Sequence, residues 1–177
     1  EAIPLKGVSL ARILYGDVSR RPVTDIDLAI QPCEISSAAS ILESRGYTIS
    51  LSHELLRDPT FLQSAGEHTA EVGCLREQAG SSLLVELHWK VLPLPDDLLW
   101  SSQAHYEAAG PAGLPLRTLT PELYLLFLCA HVSGHGWTSL RWICDVSDFL
   151  LRFAGRIDPA EFLRHCRTAR LCHRTGT

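Results

Sequence analysis

The sequence predicts an α+β protein in which strands and helices alternate in the first half and helices form the end. Side chains alternate with period two in residues 24–30 and 82–91, which is the spacing of a β-strand. From Thr120 onward, apolar residues recur at helical spacing in three successive segments. We therefore expect a core in residues 1–92 and a C-terminal helical region in residues 93–177.

Composition and charge limit the classes of function. The chain has 177 residues, of which 46% are hydrophobic and 20% charged, so it can bury a core. Its net charge of −4 argues against long nucleic acid as a partner, because such binding depends on phosphate neutralisation. No signal peptide is visible, and the longest apolar run, 123–132, is too short to span a membrane. Six cysteines without a CxxC pair indicate reduced core thiols in a cytoplasmic protein.

The first predicted helix covers Val8–Tyr15 and ends at Gly16. Gly7 stands just before it and Ser9 in its first turn. A glycine lets an anion approach the backbone, and a helix N-terminus offers free N–H groups to a phosphate. The alternative is an ordinary turn and helix start.

The first predicted strand places two carboxylates side by side. Asp25 and Asp27 share one face, and Ile26, Leu28 and Ile30 share the other, which we expect to pack into the core. Two anions about 4 Å apart repel by roughly 4 kcal/mol at an effective dielectric constant near 20. A divalent cation such as Mg²⁺ or Mn²⁺ relieves that repulsion. The alternative is an Asp-rich strand end without a ligand.

The next elements alternate between helix and strand. We expect a helix in 33–46, a strand in 47–51, a helix-like loop broken at Pro59 in 53–65, a strand in 67–76 and a polar turn in 78–82.

The second informative strand is 82–91. Glu86 and His88 share a face, opposite a strongly apolar one. A lone glutamate in such a strand needs a partner or a cation. An arginine is one possible partner, but Asp25 and Asp27 make a metal site the better explanation.

Residues 93–113 have the composition of an irregular linker. Three helices follow: one from a Thr120 cap to His131 or His135, one in 140–153, and one from Asp158 to about 171. The residues expected to face inward on the second helix are Trp142, Ile143, Val146, Phe149 and Leu150.

His131 and His135 lie four residues apart on one helix face. The zinc-protease pattern requires Glu after the first His, and Val132 is there instead. We interpret both as packing or substrate-side residues; a metal-dependent hydrolase that uses them with Asp145 is an alternative.

Two further sets of residues each allow a structural and a functional interpretation. Trp137 and Trp142 are expected in the core rather than as a base-stacking platform. A zinc site is conceivable at His165, Cys166, Cys172 and His173, but the spacing matches no common pattern.

The order of these motifs resembles the nucleotidyltransferase superfamily that includes DNA polymerase β and the aminoglycoside nucleotidyltransferases. It is more closely similar to the bacterial uncharacterised nucleotidyltransferase family. The residues that carry the resemblance are Leu5-Lys6-Gly7, Arg21, Asp25-Ile26-Asp27-Leu28, Val85-Glu86-Leu87-His88-Trp89, Leu119, His131, His135-Gly136-Trp137, Leu140, Trp142 and Asp145.

The resemblance implies a mixed β-sheet with flanking helices, followed by the helical region. It also implies nucleotidyl transfer assisted by two metal ions, Mg²⁺ or Mn²⁺. Asp25 and Asp27 would hold both ions, and Glu86 would bind one and take a proton from the acceptor hydroxyl.

The resemblance further implies a nucleoside triphosphate donor, for which we expect ATP. Gly7 and Ser9 would line the triphosphate, and Lys6, Arg20 or Arg21 would neutralise its charge, with Arg21 matching the family best. The acceptor would be a small molecule or a protein or peptide, and the residues expected on its side are His88, His131 and His135. The alternative is a non-catalytic nucleotide-binding or toxin–antitoxin protein that keeps the fold.

Overall fold

The chain divides into two compact units. The first comprises Glu1–Val91 and Tyr106–Arg117, and the second comprises Leu92–His105 and Thr118–Thr177. The predicted domain boundary after residue 92 stays a prediction. The structure is a computed structural model that describes residues 1–64, 70–91, 93–100, 106–107 and 116–169.

The first unit contains a five-stranded mixed sheet. Its strands lie in the order β1-β2-β5-β4-β3, with β2 and β5 parallel and the other neighbours antiparallel. A mixed sheet is what the resemblance to nucleotidyltransferases implies for this part of the chain. The strands are β1 (Ala2–Pro4), β2 (Asp25–Ile30), β3 (Thr48–Ile49), β4 (Glu71–Gln78) and β5 (Ser81–His88).

Helices flank this sheet. They are α1 (Val8–Tyr15), α2 (Ile35–Glu43) and α3 (Pro59–Ser64), with short 3₁₀ helices at Val18–Arg20, Pro32–Glu34 and Leu55–Arg57. An antiparallel pair, β6 (Tyr106–Glu107) and β7 (Leu116–Arg117), belongs to the same unit.

The second unit is helical, as predicted. The Thr120 side chain accepts a hydrogen bond from the Leu123 amide, and the Asp158 side chain accepts one from Ala160, so both helices begin at the predicted caps. Among the described residues, none of the helices combines the length and apolarity needed to cross a bilayer. The helices are α4 (Asp96–Leu99), α5 (Pro121–Gly134), α6 (Leu140–Phe153) and α7 (Pro159–Thr168).

The core of the first unit lies between the sheet and its neighbouring helices. Trp89 is fully buried, and its Nε1 donates to the Leu62 carbonyl at 3.1 Å, which satisfies its polar atom. The other buried members of this core are Ile30, Ile35, Ala39, Leu56, Leu62, Val72, Cys74, Val85 and Leu87.

The prediction that the apolar face of β2 packs into the core is only partly correct. Ile26, on the expected core face, is 37% exposed, whereas Asp27 and Ala29 are fully buried. Because helices flank the sheet, the face of β2 that carries the carboxylates is also covered, at Asp27. The expectation holds at Ile30, which lies in the core.

Two helix boundaries differ from prediction. The helix expected from Cys33 begins at Ile35, because Pro32–Glu34 forms a 3₁₀ turn first. Pro59 does not break a helix but begins α3, since proline suits the first helical turn. The Asp58 carboxylate accepts a hydrogen bond from the Thr60 amide at 2.8 Å and completes that helix start.

Other boundaries also shift. The polar turn expected in 78–82 contracts to Ala79 and Gly80, because β4 and β5 pair up to their junction. The predicted strand 67–76 is present from Glu71, and residues 67–69 lie outside the described part. Within the predicted linker, Asp96–Leu99 forms a short helix.

Helix α6 buries only part of the predicted stripe: Phe149 is buried as expected, and Trp142 and Val146 are partly buried. Ile143 and Leu150 are exposed, although they were expected to face inward. The buried positions are Asp145, Phe149 and Phe153, four residues apart, so the inward face is rotated relative to the apolar pattern.

The prediction that the cysteines are core thiols is only partly correct. Cys74 is buried, but Cys33 and Cys144 are exposed. The described cysteines, which also include Cys129 and Cys166, are free. Cys172 lies outside the described residues.

We expect substitution of Gly7 by alanine to destabilise the protein by about 3 kcal/mol. Gly7 has φ +68°, and a Cβ there would lie 2.8 Å from the Asp25 carbonyl oxygen. The control is Gly16→Ala, because Gly16 has φ +71° but nothing within 4 Å of its Cβ position. The control should cost only about 1 kcal/mol. Urea unfolding measures both, and equal losses would contradict a steric role for Gly7.

We expect His165 to contribute a loss of stability as the pH drops below 6.5. Burial lowers its pKa below the ordinary value of 6.5 and outweighs the attraction of Glu161. The unfolded chain therefore takes up a proton that the folded chain excludes, so the stability present above pH 6.5 is lost as the pH falls. Urea unfolding of the native chain and of His165→Leu at about pH 7.5 and about pH 5.5 measures this contribution, as the difference between the two chains in how stability changes with pH. In His165→Leu the loss should shrink; an unchanged loss would contradict the assignment.

Candidate active site

The register of the parallel pair β2–β5 assembles the candidate site. Asp27 lies opposite Glu86, Asp25 opposite Leu84, and Ala29 opposite His88. Opposite residues in a ladder project from the same face of the sheet. The two aspartates therefore share a face with Glu86 and His88. Period-two spacing predicts each pair, and the register brings the two pairs together.

Asp27 is the buried centre of this group. Its side chain is fully buried, and its Oδ1 lies 3.1 Å from Lys6 Nζ and 3.1 Å from His88 Nε2. Its other oxygen, Oδ2, is buried and has no hydrogen-bond partner among the described residues. A buried carboxylate oxygen without a partner is costly unless a cation or a donor reaches it.

His88 connects three carboxylates. Its Nε2 faces Asp27 and also lies 3.8 Å from Glu86 Oε2. Its Nδ1 lies 3.1 Å from Oε2 of Glu71, the residue directly opposite it on β4. The imidazole thus lies between one carboxylate on β4 and two on β2 and β5.

The electrostatics of the group favour added positive charge. Burial, followed by the charges of Glu71 and Asp27, raises the pKa of Glu86 to about 7. Burial alone would raise the pKa of Asp27 too, but the hydrogen bond from His88 and the charge of Lys6 outweigh it. The pKa of Asp27 therefore lies below its ordinary value, and its carboxylate stays ionised.

The donor set fits a divalent cation. Asp27, Glu86 and His88 each offer one ligand atom, and these three atoms lie within 4.8 Å of one another. In the part of the chain that the structure describes, no other set of three His, Cys, Asp or Glu residues meets this criterion. Oδ2 of Asp27, which has no hydrogen-bond partner among the described residues, would offer such an ion a further ligand atom.

Asp25 lies on the same strand but outside this three-residue group. It is half-buried, and its Oδ1 accepts a hydrogen bond from Thr24 Oγ1 at 3.3 Å. Its backbone oxygen approaches Gly7 so closely that only glycine fits there. Asp25 therefore links the carboxylate strand to the start of α1.

Three of the predicted nucleotide-binding residues lie at that helix start: Lys6, Gly7 and Ser9. Helix α1 begins after Gly7, and no side chain caps it. Its first backbone N–H groups therefore point out of the helix without a side-chain acceptor. Ser9 is buried, and Lys6 reaches Asp27. Arg21 is buried as well, with Nη1 3.5 Å from the Pro22 carbonyl.

The predicted acceptor-side histidines divide between the two units. His88 belongs to the carboxylate group, whereas His131 and His135 belong to the second unit. Their ring centroids lie 4.6 Å apart, and each ring contacts Trp142. The expectation that Trp137 is a core residue is wrong: it is 50% exposed, on a left-handed turn after α5.

The alternative metal sites find no support in the described residues. His131, His135 and Asp145 do not form a ligand group by the same distance criterion, and neither do His165 and Cys166 with any described neighbour. Cys172 and His173, which the conceivable zinc site also requires, lie outside the described residues.

A family model described as an uncharacterised nucleotidyltransferase matches residues 1–175. The chain belongs to this family. Membership supports transfer of a nucleoside monophosphate group as the general activity, and it implies a nucleoside triphosphate substrate. Comparisons with curated proteins and with solved structures give no significant match.

Sequence reasoning did not single out Glu71. Its carboxylate contacts His88 because β4 and β5 pair antiparallel with these two residues opposite each other. Part of this pairing is readable in the sequence. The short Ala79-Gly80 turn indicates a β-hairpin, and counting residues outward from that turn places Glu71 opposite His88.

We expect Lys6→Met to lower the free energy of unfolding by about 2 kcal/mol, because it removes a charged partner from the buried Asp27. Lys90→Met is the matched control, since Lys90 Nζ donates to the Gln63 carbonyl at 2.8 Å instead. That substitution should cost about 1 kcal/mol or less. Chemical denaturation without added metal measures both values, and equal losses would contradict the special role of Lys6.

Proposed function

We propose that the chain is a divalent-cation-dependent nucleotidyltransferase that moves a nucleoside monophosphate group from a nucleoside triphosphate to a hydroxyl acceptor. The observation that carries this proposal is the buried Asp27 carboxylate, which faces Glu86 across a parallel strand pair. One of its oxygens has no partner in the described part of the chain. Family membership supports the general reaction. We take ATP as the first donor to test.

Three carboxylates on one face of the sheet would hold the cation. Asp27 and Glu86 are adjacent in the β2–β5 register, and Asp25 lies two residues before Asp27 on the same face. Mg²⁺ or Mn²⁺ bound there would supply a Lewis acid that neutralises charge on the phosphate oxygens and the leaving group.

The start of α1 is the proposed triphosphate site. Gly7 and Ser9 would bring uncapped backbone N–H groups and a hydroxyl to the phosphates. Lys6 and Arg21 would supply the balancing positive charge. The close packing of Gly7 on the Asp25 carbonyl supports this arrangement, because it holds the helix start against the carboxylate strand.

The reaction moves one proton and exchanges one P–O bond. Glu86 would accept the proton of the acceptor hydroxyl at a carboxylate oxygen. The acceptor oxygen then bonds to the α-phosphorus as the bond from that phosphorus to the β-phosphate oxygen breaks, and pyrophosphate leaves.

We propose a small molecule or a protein or peptide as the acceptor, with His88, which belongs to the same unit as Asp27 and Glu86, on its side of the reaction. The net charge of −4 supports an acceptor other than long nucleic acid. The described free cysteines are in keeping with a reducing compartment such as the cytoplasm, where we place the reaction.

The test is nucleotide binding followed by transfer. We expect calorimetry with ATP, GTP, CTP and UTP, each with Mg²⁺ or Mn²⁺, to detect cation-dependent binding of at least one nucleotide. Asp25→Asn/Asp27→Asn should weaken that binding by at least about tenfold, because it removes ligands of the cation. Circular dichroism would check that the variant is folded.

The matched control is Asp58→Asn, because Asp58 is an exposed aspartate of the same unit that caps α3. Nucleotides labelled at the α-phosphate, added with cell metabolites or proteins, would reveal the acceptor. Binding that survives in the double variant would contradict this site. Binding without any transfer would instead favour the non-catalytic nucleotide-binding alternative.

A further inference from the structure

His88 has both ring nitrogens against carboxylates. Nδ1 lies 3.1 Å from Glu71 Oε2, and Nε2 lies 3.1 Å from Asp27 Oδ1. A neutral imidazole has a single N–H and can donate to only one of them. The hydrogen bond between Nε2 and Asp27 requires a proton on Nε2. A cation bound between Nε2 and the carboxylate would replace that proton, and the N–H of Nδ1 would then face Glu71.

The arrangement of Glu71, His88 and Asp27 matches a known requirement of metal-binding histidines. Such a histidine donates its second ring N–H to a carboxylate or carbonyl, which fixes the tautomer and the ring orientation. Glu71 occupies that position, because the β4–β5 register places it directly opposite His88. Nε2 is thereby directed at the buried side of the site.

The distances suit a shared ion. Two ligands of one ion lie at most about 4.2 Å apart when each bond is about 2.1 Å long. His88 Nε2 lies 3.1 Å from Asp27 Oδ1 and 3.8 Å from Glu86 Oε2, so both separations are within that limit. Asp27 is also fully buried, and its Oδ2 has no partner within the residues that the structure describes.

We propose that His88 is itself a ligand of the cation, oriented by Glu71 as a positioning residue. The site would then consist of one nitrogen and carboxylate oxygens rather than carboxylates alone. An imidazole ligand favours transition metals such as Mn²⁺ over Mg²⁺, which prefers oxygen. This inference rests on the proposed function, because it concerns the same cation site.

The experiment is pulsed electron paramagnetic resonance of the full chain with Mn²⁺ alone. We expect a hyperfine coupling from a directly bound ¹⁴N nucleus, replaced by a ¹⁵N coupling when the protein contains ¹⁵N-histidine. His88→Ala should abolish the coupling. His53→Ala is the control: His53 also pairs with a glutamate, Glu43, but not in the carboxylate group, so its loss should leave the coupling unchanged.

Metal affinity gives a second readout. We expect Glu71→Gln to weaken Mn²⁺ binding by about tenfold, as loss of a carboxylate behind a metal-bound histidine does elsewhere. His88→Ala should weaken Mn²⁺ binding more than Mg²⁺ binding, because the lost nitrogen favours the softer ion.

The outcomes separate this inference from the proposed function. Bound Mn²⁺ with no nitrogen coupling, even in the native chain, would overturn the role of His88 and leave a carboxylate-only transferase site. Nitrogen coupling without any nucleotide binding would support His88 as a ligand and overturn the transferase. A native chain that binds neither ion would overturn both.

Discussion

The burial of the Asp27 carboxylate is the constraint on which the rest of the site depends. An ionised carboxylate removed from water is stable only if positive charge or hydrogen-bond donors replace the water. The fold supplies one ammonium group from Lys6 and one ring nitrogen from His88, both to the same oxygen. The second oxygen is left without a partner among the described residues. The site is therefore stabilised in part and still has capacity for a cation.

The sheet explains how these partners reach Asp27. The Leu5 amide donates to the Asp27 carbonyl at 3.1 Å, which extends the pairing of β1 with β2 and places Lys6 beside the carboxylate. On the other side, the parallel pairing with β5 brings in Glu86. Strand β2 lies between β1 and β5. Lys6, just after β1, supplies a balancing positive charge, and Glu86 on β5 adds a negative charge.

Local pattern predicted much of this arrangement, and the remainder depends on pairing. Alternation alone shows that Asp25 accompanies Asp27, and that Glu86 accompanies His88. It does not give the register that sets Asp27 opposite Glu86, nor the β4 contact of His88, because both depend on which strands become neighbours. Burial was also mispredicted for Ile26, since apolarity identifies a core face only when the opposite face is open to solvent.

The parallel pairing of β2 with β5 also has a consequence for folding. Asp27 and His88 are 61 positions apart in sequence, and contacts of such long range form slowly because a large loop must close first. Until β5 docks, the carboxylate of Asp27 lacks its imidazole partner, and burying it would be unfavourable. Completion of the sheet and assembly of the site are thus one cooperative event. A truncated chain that ends before β5 contains the aspartates but cannot form the site.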